Sequence, residues 1–176
     1  LTNLPIGSYN WSINCTDNLS NVGDSAVRTF TVLLSKRFNG SSTNISDINA
    51  SNITNFVVEI TGFGKSNFSQ NVDLSQGFDL IKNINISSNR IELNSTALTA
   101  LNKSAILELT GLTFSNPRVL RDGAACSSSI CTEVSYSGGI FIFNVTQFSV
   151  YSSEETPAEE VSAPAVESAP VEEAVA

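Results

Sequence analysis

Histidine is absent from this chain of 176 residues. Its absence removes the commonest general base, the commonest neutral-pH proton shuttle and the commonest metal ligand. It also excludes Ser-His-Asp and Cys-His nucleophile arrangements within the chain. A catalytic pair of carboxylates stays chemically conceivable, but the acidic residues ahead of the C-terminal segment stand singly, as Asp17, Asp24, Glu59, Glu92, Glu108 and Glu133 do. Most fall in alternating strand-like runs, where such a residue is a solvated strand face, so the chain reads as non-enzymic. Three cysteines fall short of the four Cys or His ligands of a structural zinc site. No Asp-x-Asp-x-Asp-Gly loop accompanies Asp17 and Asp24, and neither a metal nor a cofactor is expected.

Long apolar runs are missing as well. The longest unbroken one is residues 140–143, Ile-Phe-Ile-Phe, far below the roughly 20 residues a helix needs to cross a bilayer. The chain starts at Leu1 without a signal peptide. The expectation is a piece of a longer precursor, reaching a membrane only through an anchor outside this chain. Positive charge is scarce too. The formal net charge is −8, yet residues 1–152 hold nine basic and ten acidic side chains, whereas residues 153–176 hold seven Glu and no basic residue. Acidity belongs to the C-terminal segment, no basic stripe exists, and no nucleic-acid partner is expected.

Against these absences stands an excess of Asn-x-Ser/Thr sequons. Twelve begin at Asn10, Asn14, Asn18, Asn39, Asn44, Asn49, Asn52, Asn67, Asn85, Asn94, Asn102 and Asn144. With 19 Asn and 41 Ser or Thr in the chain, chance placement gives about four. An AT-rich genome would raise lysine along with asparagine, and there are only four lysines. An oligosaccharide on such an asparagine is bulky and must point into water. The expectation is an exported, N-glycosylated, extracellular protein.

Residues 7–15 (Gly-Ser-Tyr-Asn-Trp-Ser-Ile-Asn-Cys) alternate with period two. Tyr9, Trp11, Ile13 and Cys15 share one face, and the sequons Asn10 and Asn14 fall on the polar one. Residues 16–24 are rich in turn formers, and a second alternating run follows at 27–32. Together they predict a long β-hairpin, which on its own buries too little to be stable. The segment closely resembles the last two strands of the immunoglobulin-like repeats of archaeal and bacterial surface proteins. The resemblance rests on Gly7, Tyr9, Trp11, Ile13, Cys15 and Asp17, then Arg28, Phe30 and Val32. It implies that residues 1–34 end a truncated Ig-like domain. In such repeats the late-strand Cys often bridges to an early-strand Cys of the opposite sheet, and none precedes Cys15 here. The odd cysteine count agrees in leaving Cys15 unpaired within the chain. Cys126 and Cys131 enclose only four residues and form a disulfide if the backbone brings their Cα atoms within about 7 Å.

Residues 35–52 carry four sequons and little apolar pattern, and read as a polar linker. Beyond it, residues 53–152 show strand-like runs at 55–61, 78–86, 90–94, 105–112, 118–120, 132–136, 139–145 and 148–151, with turn chemistry at Asp122-Gly123 and Ser137-Gly138-Gly139. Only residues 95–101 read as helical, with Ser95 or Thr96 as cap. Many short strands separated by turns predict an all-β, Ig-like β-sandwich. A parallel β-helix needs a sustained repeat, and none is present. Asn85 stands between two inward isoleucines and points outward. Asn144 is the least favourable sequon, because its strand is apolar on both faces and so reads as central and buried. The ten Phe read as core rather than as a sugar platform.

The stretch 94–152 also resembles modules of archaeal surface proteins, on Asn94-Ser-Thr-Ala-Leu, Leu120-Arg-Asp-Gly, the Cys126/Cys131 pair, Ser135-Tyr-Ser-Gly-Gly and the closing Asn144-Val-Thr-Gln-Phe-Ser-Val-Tyr-Ser. It implies a surface-exposed module and supplies no catalytic residue. Residues 153–176, made of Glu, Pro, Ala, Val, Ser and one Thr, read as a disordered spacer. The function expected is a structural or adhesive module of a surface-layer-like glycoprotein, with other surface-layer or cell-wall components and glycans as partners. The alternative is a carbohydrate-binding accessory domain of a secreted enzyme, which needs two or three exposed coplanar aromatics.

Overall fold

The computed structural model describes residues 7–32, 37–44, 50–76 and 78–158. The sequon at Asn49, residues 1–6 and 33–36, and the acidic segment from residue 159 onward lie outside them.

The alternating N-terminal run forms a hairpin, though not one unbroken ladder. Strand β1 (Gly7–Trp11) pairs with β4 (Arg28–Val32), and β2 (Asn14–Thr16) pairs with β3 (Val22–Asp24). The break falls at Ser12-Ile13, where the Ser25 hydroxyl accepts from the Ile13 amide at 2.8 Å and Ser25 donates back to the Ile13 carbonyl. The expected loop at 16–24 thus ends in a strand, and only residues 17–21 turn. There Asp17 Oδ1 accepts from the amides of Leu19 and Asn21. Trp11 is 44% exposed and Ile13 52% exposed, and Cys15 is free and open to water.

The remaining strands are β5 (Val57–Ile60), β6 (Gly64–Phe68), β7 (Ile84–Ser87), β8 (Arg90–Leu93), β9 (Ala105–Leu109), β10 (Pro117–Arg121), β11 (Ala124–Ala125), β12 (Cys131–Ser137), β13 (Ile140–Val145) and β14 (Val150–Glu155). They build two five-stranded antiparallel sheets, in the orders β12-β13-β9-β6-β5 and β11-β10-β14-β8-β7. Their inner faces share one hydrophobic core, so the domain is an all-β sandwich. Period-two patterning decides which side chains enter it: Leu107 and Leu109 from β9, Ile84 and Ile86 from β7, Phe141 and Phe143 from β13. Seven rings follow one another through the core. They run Phe56, Phe68, Phe148, Tyr151, Phe143, Phe141, Tyr136, with successive centroids 5.6, 5.0, 6.3, 6.0, 5.4 and 6.0 Å apart. Tyr151 is fully buried, its hydroxyl donates to the Gln147 carbonyl at 2.6 Å, and burial pushes its phenol up to about 12.

Two hairpins turn as their residues dictate. Asp122-Gly123 and Gly138-Gly139 both have two successive positive φ angles (53° and 81°, 58° and 76°), the geometry of two-residue turns that match strand twist. Asn89, at φ 50°, has a further task. Its side-chain oxygen accepts from the Ser153 amide at 2.9 Å and its Nδ2 donates to the Ser153 carbonyl at 2.7 Å. It so stands in for a neighbouring strand at the turn just ahead of β8.

Elsewhere the expected boundaries need correction. Residues 78–86 are not one strand: Leu80–Asn83 form a helical turn (α1) because Asp79 accepts from the Lys82 amide, and Leu80 and Ile84 then bury at helical spacing. In 95–101 only Thr99–Leu101 is helical, as a 3₁₀ turn, and the side chain that caps the preceding turn is Asn94, which accepts from the Ala97 amide at 3.1 Å. Strand β6 carries little apolar signal because its inner positions are Gly64, Ser66 and Phe68. Gly64 is required there, since a Cβ would lie 2.5 Å from the Glu108 carbonyl oxygen of β9. The C-terminal spacer begins later than residue 153. Strand β14 continues to Glu155, whose carboxylate accepts from the amides of Ser115 and Asn116, both at 2.7 Å.

The largest correction concerns the linker at 35–52. Its described residues 37–44 and 50–52 are packed on the sandwich. Phe38 is buried in the core. Asn39 and Thr43 donate to the carbonyls of Glu59 and Val57, while the amides of Val57, Glu59 and Thr61 reach side-chain oxygens of Thr43, Ser42 and Asn39 at 2.7–2.8 Å. This is why the segment is polar: its hydroxyl and amide side chains complete the hydrogen bonding of edge strand β5 without adding a strand.

Replacing Phe38 by Ala is expected to lower stability by about 3–5 kcal/mol, the usual cost of emptying a buried phenylalanine site. Urea denaturation measures it, and a change within about 0.5 kcal/mol would instead mark a free linker. The Ser41 hydroxyl, then the Ser41 amide and Lys65, outweigh partial burial and hold the Glu59 carboxyl below its ordinary 4.5. Folding therefore favours the carboxylate. Its contribution is present above about pH 4.5 and is lost as pH falls through the lowered value. Glu59→Gln should flatten that part of the acid limb in urea midpoints measured from about pH 6 to about pH 3.

Candidate functional site

Among the described residues, no group of three or more Cys, Asp or Glu side chains is placed to hold a metal ion. Asp17, the carboxylate nearest to a cation loop, is already committed to its turn. The Asn21 side chain donates to it at 2.8 Å, and with the backbone bonds of Asn21 and Leu19 holds its carboxyl below the ordinary range.

The sequon asparagines, by contrast, share one property. Of the eleven that are described, nine are exposed, Asn67 and Asn85 are half-buried, and none is buried. Three lie within strands of the sandwich, where register fixes their direction: Asn67 on β6, Asn85 on β7 and Asn144 on β13. The expectation that Asn144 is the least accessible is overturned. Strand β13 buries Phe141, Phe143 and Val145 against the opposite sheet, while its other face, with Ile140, Ile142 and Asn144, has no layer over it among the described residues. Apolar residues on an outer face had suggested a covering that the described residues do not supply.

Most of the other sequon asparagines are tied down by their oxygens. Asn10 accepts from the Thr29 hydroxyl at 2.7 Å, Asn39 from the Thr61 amide at 2.7 Å, Asn52 from Asn71 at 2.7 Å, Asn85 from Arg37 at 2.9 Å and Asn102 from the Phe148 amide at 2.9 Å. Each of these bonds leaves Nδ2, the atom an oligosaccharide takes, pointing elsewhere. Asn14 differs, because its own Nδ2 donates to Asp24 at 2.5 Å. Asn18 and Asn44 are exposed in turns and loops.

Two shallow recesses lie beside strand asparagines. One, of about 180 Å³, is lined by Lys82, Asn83, Asn85, Glu92 and Asn94. The larger, of about 290 Å³, sits where β9, β12 and β13 meet at one end of their sheet. Ser69, Ser104, Ile106, Ser129, Thr132, Asn144 and Thr146 line it, with no charged side chain. A row across the sheet leads into it: Thr132, Asn144, Ile106, Asn67 and Val57 lie side by side on five neighbouring strands. Neither recess holds two carboxylates. Sequence reading found Asn144 but not this recess. Its walls come from four separate segments, and only the strand register places Ile106 beside Asn144.

The far wall is set by the expected disulfide, which forms. Cys126 and Cys131 are bonded, with Cα atoms 6.0 Å apart. The bridge ties the end of β11, in one sheet, to the start of β12, in the other, and holds Ser129 and Ile130 against the recess.

No protein-family model matches the chain, and no curated protein matches it in sequence.

Reduction of this disulfide is expected to cost about 2 kcal/mol, as for any loop this short. Urea midpoints with and without reductant measure it. Thiol titration should count one reactive thiol, Cys15, in the native protein and three after denaturing reduction.

Proposed function

We propose that this chain is a non-catalytic structural or adhesive module of an exported, N-glycosylated cell-surface protein of the archaeal surface-layer kind. The observation that carries the reading is the joint distribution of sequons and aromatics. All eleven described sequon asparagines reach solvent at least in part, while most of the aromatic side chains are spent on the core. Sugars on such a chain would stand outward on both sheets and along the edge segment at Asn39 and Asn44. The module would act by spacing and shielding, with other surface-layer or cell-wall components and glycans as its partners, outside the cell.

An Ig-like assignment of the sandwich has one specific support. The hydroxyl of Tyr151, at the start of β14, bonds back to the carbonyl of Gln147 four residues upstream, the form of the tyrosine corner of Ig-like domains. The same domain lacks a tryptophan and a disulfide across its core, so the support is partial. The sugar-binding alternative draws less support from the sandwich, where Tyr151 is fully buried and half-buried Tyr136 donates its hydroxyl to the Phe114 carbonyl at 2.6 Å, than from the exposed Trp11 of the hairpin.

Glycopeptide mass spectrometry of the protein from its native source is expected to find oligosaccharide on several of the twelve sequons. Twelve bare asparagines would reject the proposal.

A further inference from the structure

We infer that the recess beside Asn144 is the seat of the oligosaccharide carried by Asn144 itself, so that this sugar completes the outer surface of its sheet. The inference rests on the glycoprotein reading above and adds a place and a role for one glycan. Attachment replaces a hydrogen on Nδ2 of Asn144 by the anomeric carbon of a sugar. The donor is a diphosphate-activated glycosyl group, whose diphosphate leaves as the proton is released.

Three observations converge on this position. Asn144 is exposed, and among the described residues its side chain takes part in no hydrogen bond, so substituting Nδ2 breaks nothing. Directly beside it in register is Ile106, 41% exposed although it lies on the central strand of the sheet. The C–H face of a pyranose ring is a fitting cover for such an apolar spot. Finally, Ser69, Ser104, Thr132 and Thr146 line the recess, and none of their hydroxyls is used in a hydrogen bond among the described residues. A hydroxyl both donates and accepts, which suits sugar hydroxyl and acetamido groups.

Size and charge point the same way. The recess, at about 290 Å³, is at the lower end of small-molecule pockets, about 300 Å³. Its lining carries no charge to neutralise a phosphate, a carboxylate or a cation. Hydroxyl contacts of this kind are weak for a free sugar, but a sugar tethered beside the recess is held there at high effective concentration. Asn67, on the other side of Ile106 and about 10 Å from Asn144 at two strand spacings, brings a second glycan to the same row.

The test compares the full chain with Asn144→Gln, each made in an N-glycosylating host and in a host that does not glycosylate. Peptide-level mass spectrometry reads occupancy, and hydrogen exchange and thermal melting read the contact. With Asn144 occupied, amides at 104–107 and 129–132 should exchange about fivefold more slowly than in Asn144→Gln, and the melting midpoint should lie about 4 °C higher. The unglycosylated pair should show neither difference. Equal exchange and melting despite occupancy, or the same differences in the unglycosylated pair, overturns the inference. Asn144 found bare while other sequons are occupied also overturns it and leaves the glycoprotein reading standing. All sequons bare overturns both.

Discussion

Seven rings in unbroken contact run through the interior, and the two sheets are assembled around them. Phe56 and Phe68 enter from the β5–β6 side, Phe141, Phe143 and Tyr136 from β12–β13, and Tyr151 from the opposite sheet, with Phe148 between. Each buried ring removes a large apolar area from water, and neighbouring rings add edge and offset contacts to that. Because these rings come from both ends of the domain's sequence, the ring chain is complete only when β5 and β6 have met β12, β13 and β14. The same arrangement withdraws these seven aromatics from the outer surface.

The second constraint is the edge. A sandwich leaves four edge strands, each with a row of backbone groups that must find partners or water. At β5 the answer is a polar strap whose Asn, Ser and Thr side chains imitate a strand. At β12 it is a bulge between Glu133 and Ser135, which twists the edge away from flat pairing. A disulfide joins β12 to the opposite sheet at its starting residue. Ion pairs on the outer faces, half-buried Lys65–Glu108 at 2.9 Å and more exposed Arg90–Glu92 at 3.0 Å, add little energy but keep those faces polar.

The strands that were legible in sequence are those with a two-residue apolar rhythm, such as β9 and β13, and the hairpins whose turns carry Gly-Gly or Asp-Gly. Strand β6 was not, because a close backbone approach demands Gly64 and a small Ser66 where the rhythm would ask for larger residues. The strap was misread for a related reason. Polar composition was taken to mean solvation, whereas here it serves hydrogen bonds to β5 that join residues about twenty apart in the chain. The disulfide was legible because its loop is local. The recess at Asn144 was not, because it is made by register between β9, β12 and β13, and no local pattern encodes which residue lies beside which across a sheet.

The position of β14 has a mechanical consequence. It lies between β10 and β8, pairing with five residues of one and, at Val150 and Tyr151, with the other, while Asn89 grips Ser153. A pull on Glu155 along the strand axis therefore strains the bonds on both sides together, in shear, instead of peeling them one at a time as at an edge. The tyrosine at its inner end is locked among rings, so sliding the strand also means drawing an aromatic out of the core. A domain tethered through this strand would resist tension along its length far better than tension across it.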